Sequence, residues 1–107
     1  MKKKIARFNI DSFPSDGVVE IICEEYAISP AEFNSTFKYH PLPEARQLYC
    51  LALLSFGAKN RDICELTGYD PGRVSYTVNA GQKAMDELPV FKKRHDHLLK
   101  IFQSFPV

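Results

Sequence analysis

No apolar run in the sequence approaches the length of a membrane-spanning helix, so we expect no membrane span. The basic start MKKK is not followed by a hydrophobic stretch, which argues against a secretory signal. Cysteine is scarce: Cys23, Cys50 and Cys64 are odd in number, form no Cys-x-x-Cys pair, and each lies in an apolar stretch. We expect them to be small buried hydrophobes rather than disulfide partners or metal ligands. These absences favour a cytoplasmic protein.

Signals of catalysis and nucleotide binding are also missing. The sequence has no G-x-x-x-x-G-K-[ST] loop, the phosphate-binding loop of many ATPases. The three histidines lack the spacing to cysteine or carboxylate residues that a metal site needs, and no serine or cysteine nucleophile has a visible base. We therefore expect no enzyme activity, no cofactor, no metal and no bound nucleotide.

Positive charge exceeds negative charge only slightly. The net charge is +1, which is low for a nucleic-acid-binding protein. Its distribution along the chain is uneven. Residues 8–37 hold six acidic side chains and no lysine or arginine, whereas residues 38–107 hold ten basic and seven acidic ones. Such segregation predicts one surface that can meet phosphate and another that stays acidic. Chance variation over a solvated surface is the alternative.

The residues that are present predict a single all-α domain. A chain of 107 residues with 45% hydrophobic content has room for one core. Apolar periodicity, a capping box at SPAE and prolines at later boundaries predict six helices. Their expected ranges are 16–26, 30 to before 38, 43–56, 60 to before 68, 71–88 and 89–104. Residues 1–15 should form an N-terminal arm ahead of a helical domain at 16–107. The arm is either flexible, pinned by its apolar side chains, or placed by its basic residues in a DNA minor groove.

The segment 60–78, NRDICELTGYDPGRVSYTV, carries the most specific pattern. Gly68 falls where the first of two short helices must stop with a positive φ. Asp70 and Pro71 supply an N-cap and a first-turn proline for the second helix. Val74 and Val78, one turn apart, should face the core. This spacing predicts a helix-turn-helix, whose second helix can lie in a DNA major groove.

Residues 18–99 resemble the C-terminal DNA-binding domain of DnaA, the bacterial chromosomal replication initiator, which has a Trp-repressor-like helix-turn-helix. The features run in the same order as in that family: an opening helix followed by ISPAEF, the EARQ start of the central helix, the first motif helix ending at Gly68, and MDEL at the end of the second. The resemblance implies the helix-turn-helix fold, double-stranded DNA as the partner, and a role in replication, transcription or mobile-element control.

The family signature G-G-R-D-H-S-T-V stands here as GYDPGRV, residues 68–74, one residue shorter. Asp70 and Val74 match the signature. Pro71, Gly72 and Arg73 replace the histidine, serine and threonine that touch DNA in the family, and the basic loop before the central helix is thinner. The resemblance therefore implies a class of ligand rather than the replication-origin box.

Base contact is predicted for the start of the second motif helix. Arg73 has the planar fork that bonds guanine, worth about 1–3 kcal/mol of discrimination when bidentate. A phosphate clamp and a surface pair with Asp70 are the alternatives for Arg73. Tyr76 should be exposed and reach a phosphate or a thymine methyl, unless it packs on a neighbouring loop. Gly72 leaves room for close approach, and Asp70 completes the predicted base-contacting set.

Phosphate contacts, which position a protein without reading sequence, are predicted around this helix. The candidates are Lys38, His40, Arg46, Lys59, Arg61, Ser75, Asn79 and Lys83. Arg46 and Arg61 rank first because each stands at a helix start, where backbone donors favour anions. Simple solvation is the alternative for each lysine or arginine, and the run KKR at 92–94 should be a solvated helix edge. The predicted function is sequence-specific binding of double-stranded DNA; the alternative is a protein-interaction adaptor that has lost DNA affinity.

Overall fold

The computed structural model describes residues 8–104, most of which are helical. The helices are α1 (Ser15–Tyr26), α2 (Pro30–Phe33), α3 (Leu42–Ser55), α4 (Asn60–Thr67), α5 (Pro71–Glu87) and α6 (Pro89–Gln103). No β-strand occurs between residues 8 and 104, so the predicted all-α class and six helices are confirmed. None of the helices in this range is long and apolar enough to cross a membrane.

The local start signals of α2 and α5 act as predicted. Ser29 Oγ accepts a hydrogen bond from the Glu32 backbone N–H at 3.0 Å, and Glu32 Oε1 accepts one from the Ser29 N–H at 2.9 Å. This reciprocal pair is a capping box. Asp70 Oδ1 caps α5 by accepting from the Arg73 N–H at 2.8 Å. Gly68 ends α4 with φ +79°, which glycine adopts without steric penalty. The three-residue turn between α4 and α5 is therefore fixed by local chemistry.

Helix α3 is the central element, as its apolar character on most sides predicted. Nine of its fourteen residues are buried, and α1, α2, α5 and α6 all pack against it. From α5, Val74 is fully buried and Val78 is partly buried against the core, which confirms that this pair faces inward. The predicted stripe of α6 is buried at Phe91, His95, Leu98 and Phe102, and its last member, Phe105, lies outside the described residues.

The segment before α1 is packed against the far end of α3. The ring centroids of Phe8 and Phe13 lie 5.2 Å apart, and those of Phe13 and Phe56 lie 5.4 Å apart. These contacts hold the chain from Phe8 onward. The rest of the predicted arm, including Ile5, lies outside the described residues.

Arg94 joins α6 to α1 and α3, which corrects the prediction of a solvated edge at this position. Its Nε lies 3.1 Å from Glu25 Oε2, and its Nη1 lies 3.2 Å from Glu44 Oε2. The guanidinium also sits 4.6 Å from the Tyr26 ring centroid, while the Tyr26 hydroxyl donates to Glu44 at 2.6 Å. Burial, followed by this hydrogen bond to Glu44, raises the pKa of Tyr26. The predicted solvated edge holds for Lys92, which makes an exposed pair with Asp96.

The cysteines serve as packing residues. Cys23 and Cys50 are buried, as predicted, and Cys64 is half-buried at the edge of the core. Burial raises the pKa of the Cys50 thiol to about 12. That thiol therefore stays protonated at neutral pH and is a poor nucleophile.

Gly81 allows α5 to approach α3 closely. A Cβ at this position would lie 3.0 Å from Leu51 Cδ1 and 3.3 Å from Gln47 Cβ. We expect Gly81→Val to lower the free energy of unfolding by about 1–3 kcal/mol, because overpacking pushes the two helices apart. Urea denaturation followed by far-UV circular dichroism measures the change. Gln82→Val, which places the same side chain at an exposed position of α5, is the matched control; equal midpoints for the two variants would contradict this packing.

Candidate nucleic-acid interface

One side of α5 faces solvent from its first turn onward. Val74, Thr77 and Gly81 hold the other side against the core. The outward side includes Gly72, Tyr76, Asn79 and Lys83, which are spaced three or four residues apart, as the helical period requires, and are all exposed. We call this set the α5 stripe. Tyr76 is 75% exposed, which confirms that its ring points away from the interior.

Arg73 lies on the flank of the α5 stripe and is half-buried. Its guanidinium carbon sits 3.8 Å from the centroid of the Tyr69 ring, a cation–π contact that limits the motion of the side chain. Stacking uses the face of the guanidinium and leaves its in-plane N–H donors available to a ligand. The alternative given above for Arg73, a side-chain ion pair with Asp70, is not formed within residues 8–104. Asp70 Oδ1 instead accepts a hydrogen bond from the backbone N–H of Arg73. Sequence reasoning missed Tyr69.

A groove of about 320 Å³ separates the start of α5 from the loop that precedes α3. It is lined by Lys38, Pro43, Arg46, Gln47, Arg73, Tyr76 and Thr77. Three of these seven residues are cationic and none is a carboxylate. The groove therefore brings together, across α5 and the loop, side chains that favour an anion.

Arg46, at the floor of this groove, is a structural residue. It is only 4% exposed. Its Nε donates to the Phe33 carbonyl at 3.0 Å, and its Nη1 donates to the Phe37 carbonyl. Its Nη2 donates to the carbonyls of Glu32 at 3.1 Å and Ser35 at 2.9 Å. The prediction that Arg46 contacts phosphate is therefore wrong, because four of its N–H groups already bind backbone oxygens and hold the loop at residues 34–41.

That loop presents two exposed aromatic side chains on either side of Lys38. Phe37 is 57% exposed and Tyr39 is 49% exposed, and their ring centroids lie 5.7 Å apart. The Tyr39 hydroxyl donates to Glu32 Oε2 at 2.7 Å, which fixes the ring and raises the pKa of Tyr39. Lys38 and His40 are exposed in the same loop. We call Phe37 and Tyr39 the loop aromatic pair; sequence reasoning did not single it out.

The start of α4 lies on the other flank of α5. Asn60 Nδ2 donates to Ser75 Oγ at 3.4 Å, which places the first turn of α4 beside that of α5. Lys59 and Arg61 are exposed there. Lys59 and Arg61 are the chain neighbours of Asn60, so they belong to the end of α4 that contacts Ser75 of α5.

A second cleft, of about 270 Å³, has the opposite charge. It lies between α1, α2 and the end of α4, with Phe33, Tyr49 and Tyr69 among its walls. Asp16 and Glu20 line it, and none of its described lining residues is cationic. Across residues 8–104, no three histidine, cysteine or carboxylate side chains come together as metal ligands. Two of the six acidic residues in the first third of the sequence, Asp16 and Glu20, thus lie together at this cleft.

The structure places the predicted site residues at the groove, along the exposed side of α5, in the loop before α3 and at the start of α4. Lys38, Arg73 and Tyr76 meet at the groove, and Gly72 and Asp70 form the first turn of α5 beside it. Lys59, Arg61 and Ser75 lie on the far flank, Asn79 and Lys83 continue the α5 stripe, and His40 is exposed at the end of the loop. Arg46 alone is withdrawn into the protein. Comparison with protein-family models, with curated proteins and with solved structures finds no match for this chain.

Proposed function

We propose that the chain binds double-stranded DNA and places the first turns of α5 in the major groove. The observation that carries the proposal is the groove beside α5, where Lys38 and Arg73 line the space next to the exposed Tyr76 and none of the lining residues is a carboxylate. A surface of this kind matches the charge of the phosphate backbone, which supplies much of the affinity of DNA-binding proteins.

The start of α5 has the shape that docking requires. Pro71 and Gly72 are short, so the helix end can come close to the base edges. Arg73, held over Tyr69, offers a planar fork for guanine. Tyr76 projects one turn further along, where a phosphate or a thymine methyl would lie. These residues read sequence in the proposed complex.

Cations on both flanks would hold the duplex in register. Lys38 lies on the loop side of α5 and Lys59 and Arg61 on the α4 side, with Lys83 further along the helix. Contacts to phosphate from two sides fix the orientation of a recognition helix in the groove. The resemblance to the initiator domain supports the same docking mode and a role in replication, transcription or mobile-element control.

The salt dependence of duplex binding tests the proposal. Each neutralised phosphate contributes a slope of about −0.9 to log K against log salt, so the four flanking cations predict a total of about −3 to −4. Fluorescence anisotropy of a labelled duplex, titrated at several salt concentrations, measures it. Lys83→Gln should make the slope less negative by about one, while Lys93→Gln on α6 should leave it unchanged. A protein that does not bind the duplex at low salt would contradict the proposal.

A second candidate function is a protein-interaction adaptor without DNA affinity. The acidic cleft with aromatic walls favours it, because carboxylates over an apolar floor suit a basic side chain of another protein. The same titration separates the two functions. An adaptor shows no salt-dependent affinity for any duplex, whereas the DNA-binding protein shows a steep one.

A further inference from the structure

The loop aromatic pair exposes apolar surface that the fold itself does not use. Phe37 and Tyr39 are two of the five large hydrophobic side chains that stand exposed among residues 8–104. Neither packs into the core cluster. An ordered, exposed aromatic pair beside a cationic groove is the arrangement with which proteins stack on nucleic-acid bases.

The loop is held rigidly enough to present these rings in one orientation. Arg46 donates to the carbonyls of Ser35 and Phe37 on the loop itself. The Phe37 N–H donates to Ser35 Oγ at 3.2 Å, and Tyr39 is tied to Glu32 through its hydroxyl. A preorganised platform loses little conformational entropy when a base stacks on it.

Lys38 connects the pair to the groove beside α5. It stands between the two rings in sequence and lines the groove together with Arg73 and Tyr76. A DNA strand whose phosphates contact Lys38 therefore passes from the α5 stripe towards the loop aromatic pair. Bases can meet Phe37 only where they are not stacked on each other, because a paired, stacked base hides its face.

We infer that the DNA bound by this protein contains unstacked or unpaired bases next to the duplex read by α5, and that Phe37 stacks on one of them. This inference rests on the proposed function and names the class of substrate: a duplex with an adjoining bubble or distorted step. In a perfect duplex the bases stay stacked and Phe37 has no base face to contact, whereas in a bubble unstacked bases are available to it.

The test compares two labelled probes by fluorescence anisotropy: a perfect duplex, and the same duplex with a central stretch of mismatched bases. Base–aromatic stacking changes affinity by about tenfold or more per base, so the wild type should bind the bubble about tenfold more tightly. Phe37→Ala should abolish that preference and leave perfect-duplex affinity within about twofold. Val90→Ala, which removes an apolar side chain that is 69% exposed on α6, should change neither.

Phe37→Trp supplies a direct readout of stacking, since the chain contains no tryptophan. It should retain the bubble preference, and its fluorescence should be quenched when the bubble binds but much less with the perfect duplex. Wild-type binding to both probes with equal affinity, or unquenched tryptophan fluorescence of the Phe37→Trp variant in the bubble complex, would overturn the inference and leave duplex binding by α5 standing. No binding to either probe would overturn the proposed function, and this inference with it.

Discussion

Replacing Arg46 by methionine is expected to lower the free energy of unfolding by about 2–4 kcal/mol, because buried carbonyls that lose a donor are expensive to leave unpaired. Arg46 binds four backbone carbonyls from α2 and the following loop while being 4% exposed. Methionine keeps the apolar stem of the side chain and removes only the donors. Water can reach some of the freed loop carbonyls, which is why the expected loss is below the sum of four hydrogen bonds.

Urea denaturation followed by far-UV circular dichroism measures the change in stability, and amide hydrogen exchange localises it to residues 34–41. Arg46→Lys should recover only part of the loss, because an ammonium cannot span four carbonyls that surround a planar guanidinium. Arg61→Met, at an exposed site on α4, is the matched control and should stay within about 0.5 kcal/mol of the wild type. If Arg46→Met were as mild as Arg61→Met, the structural role given to Arg46 would be wrong.

Replacing Arg73 by alanine is expected to weaken binding to a preferred duplex by about tenfold to a hundredfold, which corresponds to the loss of about 1–3 kcal/mol of base discrimination. Arg73 stands at the groove with its guanidinium held 3.8 Å from the Tyr69 ring. Because it is already ordered, little entropy is lost when it bonds a base. Arg73→Lys keeps the charge but lacks the fork, so it should retain affinity for random duplex and lose preference among sequences.

Selection of bound fragments from a random duplex pool, followed by anisotropy on the selected sequence, measures both effects. Lys93→Ala removes one positive charge from an exposed position on α6 and serves as the control for net charge. Equal affinity and equal sequence preference in Arg73→Ala and Lys93→Ala would remove Arg73 from the site. The alanine variant should also be checked by denaturation, since its cation–π contact with Tyr69 contributes about 0.5–1 kcal/mol to stability.

The parts of the fold that were predictable from sequence are those controlled by residues close together in the chain. The capping box at Ser29, the N-cap at Asp70 and the positive φ of Gly68 each depend on a few neighbouring residues, and each was confirmed. Val74 and Val78 are one helical turn apart, and this spacing correctly predicted which side of α5 faces the core.

The features that sequence reasoning missed depend on partners that are distant in the chain or set by loop geometry. Arg46 binds carbonyls nine to fourteen residues before it, and a carbonyl carries no residue-specific signal in the sequence. Arg94 finds Glu25 and Glu44, which are far from it in sequence. The stacking of Arg73 on Tyr69 could have been predicted from the sequence, because the two residues are four positions apart, with the first residue of α5 between them.

Amide chemical-shift changes in the ¹⁵N-labelled protein on adding a duplex test the docking of α5 most directly. We expect the largest changes at Gly72, Arg73, Tyr76 and Asn79 in α5, smaller ones at Lys38 and Arg61 on its flanks, and none at the exposed acids of α1. Changes centred on Glu20 and Glu24 of α1, with the α5 amides unmoved, would contradict it.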